Sequence, residues 1–287
     1  MIEKTGRIII SIKSLKTKII NNTPIEKHGD IYVKREDLAC LPPGPPFAKV
    51  RGLFSHLMKL RGEGISVVGY VETAISEAGW GVAWLAKELD MKAVIFNPVY
   101  KTNQPVLDFH RSKWVEFGAE IRDIKAGMAK VGYNISKKLL IEEFGSNAIM
   151  LPLGLPFSET IDEVAKEFQR TYDDRFQSIV ICIGSGTMAA GVLKGMRKVN
   201  CKTPLYGILC RQSKQLFKKR RMIVEKAGYF FENPVFHLID LGYNYTDKVE
   251  MDIPFPCNKF YDAKAYRWLI DHIHEIEKPV LFWNIGA

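Results

Sequence analysis

Apolar positions along the chain follow two alternating rhythms. Nearly continuous apolar runs at 31–34 (IYVK), 65–71 (ISVVGYV), 92–96 (KAVIF), 148–151 (AIML), 178–183 (SIVICI), 204–210 (PLYGILC) and 279–283 (PVLFW) predict strands, with a shorter one near 119–122. Between them the apolar spacing changes to that of a helix. Residues 49–61 place Val50, Leu53, Phe54, Leu57 and Leu60 on one stripe, and similar patterns predict helices at 76–90, 104–117, 127–144, 159–172, 187–198 and 262–276. A further, strongly basic helix follows the strand at 204–210. Strand and helix alternate at short spacing, which argues for an α/β chain with parallel sheets flanked by helices on both faces. Pro152, Gly154 and Pro156 mark the crossover between two lobes, a large one from 1–47 and 152–287 and a small one from 48–151.

Composition narrows the class. The 287 residues are 47% hydrophobic and 25% charged, which excludes wholesale disorder and collagen-like or mucin-like chains. No run of eighteen apolar residues predicts a membrane span, and the first residues lack a signal-peptide pattern. Cys40, Cys182, Cys201, Cys210 and Cys257 are scattered without a C-x-x-C pair, which fits a reducing, cytoplasmic setting and argues against a zinc site. The six histidines show no metal-ligand spacing, and no metal is expected. The net charge is +9, and its densest cluster is Arg211, Lys214, Lys218, Lys219, Arg220 and Arg221, with Phe217 and Tyr229 nearby. This segment, 211–221, reads first as a solvated helical face and second as a nucleic-acid contact.

Four short segments carry candidate chemistry. GSGT at 184–187 follows an apolar strand and opens a helix, where glycine backbone and helix amides can cradle a phosphate; a tight turn alone would also need glycine. Lys49 follows the proline-rich loop LPPGPPF at a helix start. The helix dipole, Arg51 and burial would each lower its pKa and suit it to Schiff-base formation. YDAKA at 261–265 offers a phenol beside a carboxylate, although Asp262 is also a natural helix cap. Asn284 lies at the carboxyl end of the last strand, the edge at which α/β sheets bind ligands.

The order TPI (23–25), IYVKREDL (31–38), AKVRGL (48–53), ISEAGWGVAWLAKELDMK (75–92), GSGT, YDAKA and VLFWNIGA (280–287) resembles the fold-type-II pyridoxal-phosphate enzymes. The nearest branch is that of 1-aminocyclopropane-1-carboxylate deaminase and D-cysteine desulfhydrase, and the likeness spans nearly the whole chain. It implies a two-lobed, tryptophan synthase β-like α/β fold whose large lobe binds pyridoxal 5'-phosphate, with the cofactor in a cleft between the lobes. It implies that Lys49 holds the cofactor as a Schiff base and that Gly184, Ser185, Gly186 and Thr187 cradle its phosphate. Asp262 would face the pyridine nitrogen and Asn284 would contact the cofactor. Ser76, Glu77, Ala78 and Gly79 form the turn that meets the substrate carboxylate, and Tyr261 is the tyrosine beside the substrate. A homodimer is usual in such families.

The departures are local. Pro46, Phe47 and Ala48 stand where the family has Gly-Gly-Asn, Glu77 replaces an asparagine, Ala78 replaces a polar residue, and Ile285 precedes a tail that ends at Ala287. The resemblance implies a lyase or deaminase acting on an amino acid or amine through a carbanion, with Lys49 and Tyr261 moving protons. The basic 211–221 segment and the altered carboxylate turn motivate an alternative, decarboxylation or cleavage of an amino-acid group attached to a nucleic-acid base. A non-catalytic cofactor or small-molecule binding descendant is the third reading.

Overall fold

The structure is a computed structural model that describes residues 15–102, 104–229 and 235–287. Its strands are β1 (Ile25–His28), β2 (Ile31–Arg35), β3 (Val67–Val71), β4 (Lys92–Val99), β5 (Glu120–Lys125), β6 (Ala148–Met150), β7 (Ser178–Ile183), β8 (Leu205–Leu209), β9 (Phe236–Ile239) and β10 (Val280–Asn284). Its longer helices are α1 (Val50–Gly62), α2 (Ala78–Glu88), α3 (Pro105–Glu116), α4 (Ala129–Phe144), α5 (Ser158–Thr171), α6 (Thr187–Lys198), α7 (Leu216–Lys226) and α8 (Asp262–Asp271). The described residues fall into two compact units. None of the helices is long and apolar enough to cross a membrane.

The first unit comprises residues 15–19, 42–45 and 53–156. It holds a four-stranded parallel sheet in the order β5-β4-β3-β6. Every residue of β3 is buried, which is why its sequence is a continuous apolar run without alternation. Val67, Val71, Val94 and Phe96 pack with Leu140 of α4 and Met150 of β6.

The second unit comprises residues 20–41, 46–52 and 157–287. Its six-stranded sheet runs β1-β2-β10-β7-β8-β9 and is parallel except for the β1–β2 hairpin. Alternate residues of β7 serve opposite faces. Ile179, Ile181 and Ile183 pack with Phe168, Met188 and Leu193, while Val180 and Cys182 pack with Trp268 and Leu269. An apolar layer on each side of the sheet accounts for the unbroken SIVICI run.

Two strands escaped the sequence pattern. β1 and β9 are four-residue strands at the two edges of their sheet, too short and too partly exposed to show a rhythm. Two helices are shorter than their patterns. The helix predicted from 76 starts at Ala78, because the chain before it is held by the Glu72 carboxyl. The helix predicted to 276 ends at Asp271, where the His272 ring nitrogen meets the Trp268 carbonyl at 2.9 Å.

The KREDL segment resolves into a buried ionic network in the second unit. Lys34 Nζ lies 2.7 Å from Glu167, Arg35 grips Asp37 through two nitrogens at 2.9 and 2.7 Å, and Glu36 takes Arg51 at 2.7 and 3.1 Å. Glu167 also accepts the amides of Asn22 and Thr23, so its lone pairs are well used. Gly52 allows this network to close. A Cβ there would stand 2.2 Å from the Thr160 backbone, so only glycine lets the first turn of α1 lie this close to α5.

Burial alone would raise the Glu167 pKa, but Arg51 and Lys34 outweigh it and pull the carboxyl down to about 2. A depressed folded pKa means that the carboxylate stabilises the fold fully above the ordinary glutamate value of ~4.3, and that this contribution is lost as pH falls toward 2. Glu167→Gln leaves Lys34 buried without its counter-charge, while Arg51 keeps Glu36. Denaturant titration at neutral pH should show a loss of about 3–5 kcal/mol, with a smaller loss at pH 3.

Candidate active site

The second unit gathers most of the expected site residues around the end of β10. Beyond Asn284 the chain continues as a short tail that clamps two distant segments. The Ile285 amide donates to Asp262 Oδ1 at 3.0 Å, and the Ile285 carbonyl accepts from the Ala48 amide at 3.0 Å. Phe47 pairs with Gly286 in an antiparallel bridge, and the Ala287 amide reaches the Pro46 carbonyl at 3.3 Å. The unusual Pro46, Phe47 and Ala48 thus form an extended strip fastened to the tail, and Lys49 follows it directly before α1.

Lys49 keeps some contact with solvent, but protein surrounds it densely enough that desolvation lowers its pKa to about 8. Cys210, Cys182 and Asp262 oppose that shift. Arg51, expected to help depress the lysine, instead commits its guanidinium to Glu36 and to the Ile20 carbonyl. The result is an amine that is substantially neutral in mildly alkaline water, as Schiff-base formation requires.

Residues 184–187 turn from β7 into α6. Gly186 sits at φ +88°, and a Cβ there would meet Ile223 of α7 at 2.6 Å. The left-handed conformation and the close approach both demand glycine. The Ser185 and Thr187 hydroxyls lie 2.9 Å apart at the mouth of the turn. The first-turn amides of α6 have no acceptor within the helix, so hydroxyls and amides together present donors suited to a phosphate. Lys219 of α7 donates to the Gly184 carbonyl at 2.8 Å and brings an ammonium beside the same turn.

Asp262 is buried at the first position of α8, and its side chain does not cap that helix. Burial raises its pKa to about 7, against the opposing amides of Ile285 and Gly286. A pyridine nitrogen would give this carboxyl the cationic partner it needs. Asn284 donates to Asp37 at 3.0 Å and to the Pro256 carbonyl at 2.9 Å, while its own buried carbonyl oxygen has no partner among the described residues. A poised amine, a phosphate-shaped turn, a carboxyl short of a cation and an unsatisfied amide oxygen fit the pyridoxal phosphate that the sequence implied.

Several neighbours were invisible in the sequence. Tyr245 and Tyr261 share a hydrogen bond through their hydroxyls, making a pair of phenols beside Gly184. Lys264 is buried in α8 and donates to the carbonyls of Cys210 and Asn244 at 2.8 and 3.0 Å, which secures the loop carrying Tyr245. The Cys182 thiol donates to Cys210, which lowers the Cys210 pKa, and burial raises that of Cys182.

The expected carboxylate turn belongs to the first unit. Ser76 Oγ accepts from the Ala78 amide at 3.1 Å, and Glu77 occupies the N-cap of α2 without a capping side-chain bond. The buried Glu72 carboxyl dominates this turn. It accepts the Thr73 amide at 2.8 Å and the Gly79 amide at 2.5 Å. Burial raises its pKa to about 8 despite those bonds and one from Ser76. His110, buried nearby, hydrogen-bonds the Ser76 backbone, and desolvation lowers its pKa to about 4.

Comparison with known proteins identifies the family and the fold. A family model described as "Pyridoxal-phosphate dependent enzyme" matches residues 16–234. A Pseudomonas phage M6 protein named glycyl-dTMP PLP-dependent decarboxylase is 36% identical over 282 residues, covering 93% of this chain and 99% of that protein. A Thermotoga maritima protein named for 1-aminocyclopropane-1-carboxylate deaminase is 24% identical, over 98% of this chain and 96% of that one. The crystal structure of a homologue of that deaminase shares the fold, with a TM-score of 0.79 at 20% identity, covering 98% of this chain and 94% of the other.

Two outcomes test this arrangement. Gly186→Ala adds a methyl group against Ile223 in a left-handed backbone, at a cost of about 1–3 kcal/mol, so absorbance titration should show pyridoxal phosphate binding weakened roughly tenfold. The neutral form of Lys49 grows as pH rises, so the rate of cofactor capture should climb through pH 8 and level off above it, followed by stopped-flow absorbance.

Proposed function

The chain belongs to the pyridoxal-phosphate dependent enzyme family, and on that premise we propose that it decarboxylates an amino-acid group attached to a pyrimidine nucleotide. The observation that carries this reading is the 36% identity to the phage M6 decarboxylase along 99% of that protein's length. The turn at 76–79 departs from the family pattern, and its Gly79 amide already serves the buried Glu72 carboxyl within the same unit.

When bound, pyridoxal phosphate supplies an electron sink for the charge left on a substrate carbon when a bond to it breaks. The work of the protein is to hold, to orient and to move protons. Residues 184–187 and Lys219 would hold the cofactor phosphate, and Asp262, with its raised pKa, would offer its proton to the ring nitrogen. Lys49, with its lowered pKa, would hold the cofactor and give way to the substrate amine. As the bond between Cα and the carboxylate breaks, CO2 departs, and Tyr261, or Lys49 once it has taken up a proton, returns a proton to Cα. Tyr245 can replenish Tyr261 through their shared hydrogen bond.

A second reading, deamination of a free amino acid, draws on the paired phenols and the likeness to the Thermotoga protein. Both are tested by incubating the cofactor-loaded protein with dTMP bearing a glycyl group and analysing the products by mass spectrometry. The decarboxylase reading predicts CO2 and an aminated nucleotide in equal amounts, with no ammonia. Ammonia released from 1-aminocyclopropane-1-carboxylate or D-cysteine, with the nucleotide untouched, would favour the deaminase.

A further inference from the structure

The reaction above leaves one face of α7 unused. The six basic residues at 211–221 do not form a uniform solvated cluster. Lys219 turns inward to the Gly184 carbonyl, and Arg220 turns inward to the Phe236 carbonyl at 3.2 Å. Ile223, on the same inward side, packs against Gly186. This side of α7 is therefore part of the wall of the phosphate turn.

The outward side has different chemistry. Lys218 and Arg221 on the helix and Arg211 and Lys214 in the loop before it are exposed, and Phe217, on the helix next to Lys218, is 65% exposed. Arg221 is paired with Glu225 at 2.8 Å, whereas Arg211, Lys214 and Lys218 have no carboxylate ion-pair partner among the described residues. The nearby Asp240 carboxylate is used to accept the Ser213 amide at 2.8 Å. A solvated face gains nothing from a bare aromatic ring at its centre. A polynucleotide uses both features, because its phosphates pair with unpaired cations and its bases stack on an exposed ring.

We infer that the outward face of α7 binds a single strand of polynucleotide, and that the amino-acid-bearing base is presented while still part of that strand. The second half rests on the decarboxylase reading. A base that reacts in an enzyme pocket must leave the stack, which costs least when the strand is already single. A helix is about 10 Å across. A strand on one side of α7 therefore lies about that far from the turn that α7 supports on the other. Phe217 stacks a neighbouring base, and Arg211, Lys214 and Lys218 hold phosphates along the approach.

The test is fluorescence anisotropy of the cofactor-loaded full chain with a labelled single-stranded deoxyoligonucleotide, titrated over a range of KCl. Binding should be evident at low salt and weaken steeply as salt rises. Replacing Lys214 and Lys218 together by Ala should lower the slope of log affinity against log salt by about 1. Phe217→Ala, which leaves the charge unchanged, should weaken binding roughly tenfold at fixed salt. Lys214, Lys218 and Phe217 are not among the residues assigned to the cofactor, so turnover of the free glycyl nucleotide should persist in both variants. That assay fails independently if the decarboxylase reading is wrong, while strand binding would still stand. The inference is overturned if the oligonucleotide does not bind at low salt or if both variants bind it like the parent protein. It is also overturned if vesicles of phosphatidylserine, and not the oligonucleotide, respond to the Phe217 change.

Discussion

The hydrogen bonds through Ile285 govern the architecture of the site. One residue, just past the end of β10, uses its amide to hold Asp262 and its carbonyl to hold Ala48. Lys49 and Asp262 are far apart in sequence, and nothing in either local segment brings them together. The tail does so with backbone groups, which any side chain could provide. This explains how Pro46, Phe47 and Ala48 can replace a glycine-rich approach to the lysine. The strip needs an extended backbone with the Ala48 amide as donor and the Pro46 carbonyl as acceptor, and the Phe47–Gly286 bridge supplies the pairing.

Beneath that clamp lies the ionic network of Lys34, Arg35, Glu36, Asp37, Arg51 and Glu167. Buried ion pairs rarely outdo apolar packing as sources of stability, because desolvation offsets most of their attraction. Here their geometry also does positional work. Arg51 ties the first turn of α1 to Glu36, and Asp37 orients the Asn284 amide so that its carbonyl oxygen is left over for a partner. The same charges keep Arg51 occupied, which leaves desolvation as the main control on the Lys49 pKa.

Legibility in the sequence followed the range of the interactions. Strands β3, β4, β7, β8 and β10 are buried runs and announced themselves, whereas the edge strands β1 and β9 did not. Lys49, the 184–187 turn, Tyr261, Asp262 and Asn284 could be singled out because each sits in a short motif whose order matches a family. Tyr245, Lys264 and the Cys182–Cys210 pair could not, since each acquires its meaning from a partner on a distant segment. Glu72 was missed for the same reason: its role appears only when the chain folds back to bring the Gly79 amide to its carboxyl. The basic segment at 211–221 was visible as a cluster, but which of its side chains turn inward depends on the packing of α7 against Gly186.

Helix α7 joins two kinds of chemistry on opposite sides, a turn suited to a phosphate within and a cationic aromatic surface without. The central claim nevertheless concerns a single atom, the Nζ of Lys49. Its most direct measurement is borohydride reduction of the cofactor-loaded protein followed by peptide mass spectrometry. The account predicts a pyridoxyl group on the peptide carrying Lys49 and on no other lysine. A label found instead on Lys219 or Lys264, or none at all, would contradict it.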